Sequence, residues 1–220
     1  MGAGAGEGEN FAAIAFGHVP SVANDLKSLP ANYQVIPDNV YVLTALSSAF
    51  LHADIWHLGG NMLFLWVFGD NVEDALGHFK YLIFYLACAF AATWFHAYVF
   101  YDSDAPLIGA SGAAAGIVAA YLVLHPKMKV WVLFFSRIPL RLPAGLALGG
   151  WVLFQLFMFV SDPQNSVSWA AHVGGIVAGI VLVGLLKRPE VPFLDREIVL
   201  PEAVELKEES QQSNPWGRQS

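Results

Sequence analysis

A chain of 220 residues that is 56% hydrophobic and only 13% charged is too apolar for an ordinary soluble domain, and its charges lie outside long uncharged windows. The formal charge of −7, drawn partly from Asp and Glu near both ends, argues against nucleic acid as a partner, and the single cysteine, Cys88, excludes an internal disulfide. Uncharged windows at 55–69, 81–101, 105–126, 142–161 and 163–186 point instead to an all-α, polytopic membrane protein, since all but the first approach the ~20 residues that cross a bilayer.

Residues 1–50 mix Gly, Pro and Asn with short apolar pieces such as Phe11–Phe16, too brief to span, and are expected to form a lead-in outside the membrane. The membrane domain is expected over 51–188. Its first span runs from about Trp56 to Gly69 and ends in an acidic turn, Asp70 to Asp74. The second covers about Phe79 to Phe100, with aromatics toward its ends as interfacial anchors. The third runs from Gly109 to Leu124. Lys127 to Arg141, an apolar run flanked by four basic residues, reads as an interfacial loop. The fourth span is expected from about Pro143 to Val160, and the fifth from about Ser168 to Leu186, stopped by Lys187-Arg188-Pro189. The tail, 189–220, is rich in Glu, Gln, Ser and Pro, a composition expected to stay disordered.

Basic residues set the orientation. Lys80, Lys127, Lys129, Arg137, Arg141, Lys187 and Arg188 all fall on one side of an alternating topology, so the positive-inside rule puts the tail in the cytoplasm and the lead-in outside. Some fifty residues would then lie outside ahead of the first span with no signal peptide. Either they cross unaided or they follow a transmembrane helix that this sequence lacks.

Polar groups are costly in lipid, and those that persist there are functional candidates. On this topology the starts of the first, third and fifth spans share one outer layer, and they carry His57 and Asn61, Ser111, and His172. His57 and Asn61 are four apart and share a helix face. Gly112 and Gly116 on the third span, and Gly175 and Gly179 on the fifth, are small-xxx-small faces that let two helices pack nearly backbone to backbone. Such an approach would bring Ser111 within hydrogen-bond reach of His172, making a serine nucleophile beside its base. Asn61, His57 and the Ser111 backbone N–H would then stabilise an oxyanion. No carboxylate is placed to orient His172, so the reading is a dyad. His52 is expected to support His57 or the outer loop, His96 and His125 to be interfacial, and Glu73 and Asp74 to make helix-end or loop contacts. No His-Glu-x-x-His motif occurs, so no metal and no cofactor are expected. An aspartyl mechanism through Asp70 and Asp102 fits poorly, since both lie at span ends.

Taken together, Phe50-Leu51-His52, His57-x-x-x-Asn61-Met62, Gly69-Asp70-Asn71-Val72-Glu73, Gly109-Ala110-Ser111-Gly112 and Ala171-His172-Val173-Gly174-Gly175 resemble the rhomboid family of intramembrane serine proteases over residues 35–186. The resemblance implies a helical bundle with a water-filled cavity open to the outside, Ser111 and His172 as the catalytic pair, and His57 and Asn61 at the oxyanion. Gly109, Gly112 and His52 would support them. It implies transmembrane protein substrates cut near the outer face, in the lipid bilayer and without a cofactor, with a bacterial plasma membrane as the expected location. Five transmembrane helices are expected here where the family core has six. Two departures stand out: Ala115 occupies the place of an aromatic found four residues after the serine in some members, and the Trp-Arg pair of the first outer loop in some members is absent. The competing reading is a rhomboid-like protein that escorts transmembrane clients without cutting them. Its expected mark is loss of the serine or histidine, and both are present.

Overall fold

A computed structural model describes residues 6–134, 138–162 and 167–194. The elements run α1 Gly6–Phe16, α2 Pro20–Ala23, α3 Thr44–Ser47, α4 Ile55–Phe64, α5 Asp70–Leu76, α6 His78–Val99, α7 Ser111–Leu124, strands β1 Lys129–Phe134 and β2 Ile138–Pro143, α8 Ala144–Ser161 and α9 Trp169–Leu186. Among the described residues α6, α8 and α9 are long and apolar enough to cross a membrane, with mean hydropathies of 1.6, 1.7 and 2.0. The predicted second, fourth and fifth spans match them within a residue or two.

α7 lies at the centre of the bundle. Eleven of its 14 residues are buried, from Gly112 to Tyr121 and at Leu124, so it meets protein on nearly every side and needs no polar face. Its small residues admit close neighbours. A Cβ on Gly175 would strike the Gly112 carbonyl, and one on Gly179 the Gly116 carbonyl, so the backbones of α7 and α9 touch. A Cβ on Gly116 would come 2.7 Å from Cys88 Sγ of α6. The close contact expected from the two glycine pairs is therefore present. Phe84, Cys88, Ile117, Val118, Leu124 and Val183 fill the core beside it. α8 is packed differently: Leu146, Leu153, Phe157 and Val160 are all at least 64% exposed, a face suited to lipid.

Two expectations are corrected. The acidic stretch Asp70–Asp74 is not a turn: α4 continues through a π-helical segment, Leu65–Gly69, directly into α5, and the chain reverses only at Gly77, whose φ of +87° suits glycine. The run Asp70–Leu76 contains no Gly or Pro, so nothing in its helix propensity ends the helix before Gly77. The segment after α7 is not a plain loop but an antiparallel hairpin pairing Lys129 with Pro143 and Trp131 with Arg141, which makes the chain not strictly all-α. Alternation explains it: Val130, Val132, Leu140 and Leu142 are half-buried, while Lys129, Trp131 and Arg141 on the other face are exposed. The lead-in, read only as lying outside the membrane, is folded. Val19, Val22, Leu29 and Tyr41 form a small core of their own. The tail beyond 194 lies outside the described residues.

The lead-in braces the loop between α6 and α7. His18 and Leu107 exchange backbone hydrogen bonds, Ser21 N–H donates to the Ser103 carbonyl, and Gly109 N–H donates to the Ser48 carbonyl at 2.8 Å. Asp104 accepts from Ser21 Oγ at 2.7 Å and from Lys27 Nζ at 2.5 Å, and these two donors hold its carboxyl below the usual range. The loop so fixed delivers the chain to Ser111.

Candidate active site

Ser111 is the first residue of α7. Its backbone N–H is one of the four at a helix start with no intrahelical acceptor. Two residues earlier the chain turns at Gly109, with φ +117°. A Cβ there would lie 2.7 Å from His57 Cε1, 2.8 Å from His57 Nε2 and 3.9 Å from Asn61 Nδ2. Glycine is thus needed twice at this position, for its dihedral angle and for the imidazole lying against it.

α4 brings His57 and Asn61. Its start is fixed by Asp54, whose Oδ1 accepts from Trp56 N–H at 2.7 Å and His57 N–H at 2.8 Å. Asn61 is 6% exposed, and its Nδ2 has no hydrogen-bond partner among the described residues. Ala53 N–H faces His57 Nδ1 at 3.5 Å, and His57 Nε2 lies against Gly109. His52 stacks edge-on against His57 with ring centroids 5.2 Å apart, and burial together with that neighbour lowers its pKa.

α9 brings His172, one turn beyond its cap. Ser168 Oγ caps the helix by accepting from Ala171 N–H at 3.4 Å and lies 2.6 Å from His96 Nδ1 on α6. His96, expected to be merely interfacial, therefore ties two helices together. His172 is 8% exposed, and its Nε2 stands 3.0 Å from Ser111 Oγ. Its Nδ1 stands 2.7 Å from Gln155 Oε1 on α8. Trp169 meets the imidazole edge-on at 5.9 Å and Trp151 lies tilted at 6.4 Å. With Ala115 in the aromatic's place on α7, the two tryptophans supply aromatic packing from other helices.

Ser111, His172, His57, Asn61, Gln155 and the two tryptophans line one cavity of about 340 Å³, with Trp56, Gly60, Phe64, Ala114, Ala115 and Phe154 completing its wall. The structure thus brings together Ser111, His172, His57 and Asn61, with Gly109 against His57, Gly112 in the α7–α9 contact and His52 behind His57. Sequence reading missed Gln155, Trp151, Trp169 and Asp54. Two signals were available: a lone amide in an otherwise apolar run, and an Asp immediately before a helix. No group of three or more His, Cys, Asp or Glu suited to a metal occurs among the described residues. Chemically, the arrangement can move a proton from a hydroxyl to an imidazole, with the unpartnered Asn61 Nδ2 in the same cavity.

Comparison with known proteins bears on what this geometry belongs to. The chain is 31% identical over 148 residues to rhomboid protein 1, mitochondrial, of Saccharomyces cerevisiae, covering 63% of this chain and 40% of that protein. It is 27% identical over 166 residues to RHOMBOID-like protein 12, mitochondrial, of Arabidopsis thaliana, covering 68% and 48%. Against rhomboid protease AarA of Providencia stuartii it is 29% identical over 185 residues, covering 73% and 64%. The chain therefore spans about 40–64% of the length of these relatives. Two of the three are named as mitochondrial, so the expected bacterial plasma membrane gains no support, whereas a membrane location does. The family model for the Rhomboid domain matches residues 39–189, more than half of the sequence and all of the cavity, and on that match the chain belongs to the rhomboid family.

Proposed function

We propose that this chain is an intramembrane serine endopeptidase that cleaves transmembrane segments of membrane-protein substrates. The observation that carries the reading is the 3.0 Å contact between His172 Nε2 and Ser111 Oγ, in a cavity that also holds the unpartnered Asn61 amide. As Ser111 Oγ bonds to a substrate carbonyl carbon, its proton passes to His172 Nε2. The carbonyl oxygen becomes an oxyanion within reach of Asn61 Nδ2, His57 Nε2 and the Ser111 N–H. His172 then gives its proton to the departing amine as the C–N bond breaks, and water hydrolyses the acyl-enzyme by the same route.

Helix length supports a site below the membrane surface. α7 has 14 residues against 22 in α6, about 21 Å against about 33 Å of rise, so the bundle's central helix falls short of a ~30 Å hydrocarbon core. With α4–α5 and α7 counted beside α6, α8 and α9, five segments cross the membrane within 51–188. The lead-in over 1–50 then lies outside and the tail over 189–220 in the cytoplasm. The name of the relative AarA, a rhomboid protease, agrees with the reading.

A fluorophosphonate probe tests the nucleophile directly. Mass spectrometry is expected to find the adduct on Ser111 and to find none in His172→Ala. An adduct on another residue, or one indifferent to His172, contradicts the assignment.

A further inference from the structure

From Ala144 to Val160, Gln155 is the one side chain of α8 with an amide, carboxyl or hydroxyl group. It is 2% exposed, while its neighbours Leu153, Phe154, Leu156 and Phe157 turn 40–67% of their surface outward. A buried amide without a partner is destabilising, and nothing about an apolar membrane helix calls for one. Among the described residues the acceptor atom of this amide is engaged on a single group, His172 Nδ1, at 2.7 Å.

That contact decides which nitrogen carries the proton. A carbonyl oxygen only accepts, so Nδ1 facing it must be N–H. A neutral imidazole has one such proton, and Nε2 is left with its lone pair 3.0 Å from Ser111 Oγ. The other tautomer would set two lone pairs against each other across 2.7 Å and point an N–H at the serine. We infer that Gln155 is a positioning residue that selects the Nδ1-protonated tautomer of His172 and holds its Nε2 on Ser111, doing with a neutral amide what a carboxylate does in serine triads. The inference rests on the catalytic reading of Ser111 and His172. During acylation the serine proton moves to Nε2, the Nδ1–H stays on the Gln155 oxygen, and the Nε2 proton later leaves with the amine. Gln155 itself neither gains nor loses a proton. Among the described residues no carboxylate lines the cavity, and the other titratable side chain that does so is His57 on α4.

The test uses the full chain in lipid vesicles with a transmembrane peptide substrate. Gln155→Met keeps an unbranched chain of similar size but removes the acceptor. It is expected to lower kcat roughly 10- to 100-fold, less than loss of a triad carboxylate does, with KM within about twofold. Gln155→Glu presents an accepting oxygen whether or not it is ionised and is expected to keep kcat within about threefold of the parent. Histidine 15N spectra, with His172 assigned by its loss in His172→Asn, are expected to show Nδ1–H in the parent and a mixture in Gln155→Met. Unchanged kcat or an unchanged tautomer in Gln155→Met overturns the inference, as does a loss in Gln155→Glu equal to that in Gln155→Met. Cleavage that survives Ser111→Ala would instead defeat the catalytic reading, and the 15N spectra would still report whether Gln155 sets the tautomer.

Discussion

Asn61 holds a buried Nδ2 with no acceptor among the described residues, an arrangement that costs free energy unless something arrives to accept the hydrogen bond. An oxyanion formed at Ser111 is such an acceptor. Asn61→Ala is therefore expected to lower kcat by about two to three orders of magnitude with little change in KM, the cost of one oxyanion donor, as read from initial rates over a substrate series. A second buried polar group acts on stability. His18 is fully enclosed, gives Nδ1 to Thr44 Oγ1 at 2.8 Å, and is pushed by burial, with His96 nearby, down to about 4. Its folded pKa thus lies below the unfolded value of 6.5, so between these the unfolded chain binds the extra proton. Its contribution to stability is complete above about pH 6.5 and is lost as pH drops toward 4, by roughly 1.4 kcal/mol per unit. Thermal melting in micelles across this range is expected to show a loss that His18→Gln makes smaller.

At the scale of elements, the contact between α7 and α9 does the positioning. Both faces are glycine where the backbones meet, so a side chain there has nowhere to go but between the helices. Gly179→Val is expected to lower stability by at least 1–3 kcal/mol and to abolish cleavage by separating Ser111 from His172. A Cβ added at Gly184 on the same helix would meet nothing within 4 Å, and Gly184→Ala is expected to leave stability unchanged or raise it by up to about 1 kcal/mol. Melting temperatures of the pair distinguish a specific contact from a general intolerance of side chains on α9. This contact was legible in sequence because its spacing has one packing solution, and the His57/Asn61 pair because four residues make one helical turn. The hairpin was not: an apolar run of six residues between basic ones has no single period that excludes either strand or loop. Nor was the partnership of Gln155, since a lone polar residue on a helix gives its own angle but not the angle of its neighbour.

For the whole molecule, the lead-in, the α6–α7 loop and the bundle act as one support for Ser111. The lead-in's folding was hidden because its apolar residues are scattered over short pieces, and they are buried by packing on one another while backbone hydrogen bonds tie them to the α6–α7 loop. Its exposed Lys27–Asp104 pair is the weak part of that support, with side chains 57% and 63% exposed. The backbone pairing of His18 with Leu107 and of Gly109 with Ser48 is the strong part. Asp104→Asn is accordingly expected to leave melting temperature and cleavage nearly unchanged. The most direct measurement is cleavage of a labelled transmembrane peptide by the purified chain in proteoliposomes, compared with Ser111→Ala and His172→Ala. A catalytic Ser111–His172 pair predicts cleavage by the parent and none by either variant. Cleavage persisting at the parental rate in Ser111→Ala would contradict it.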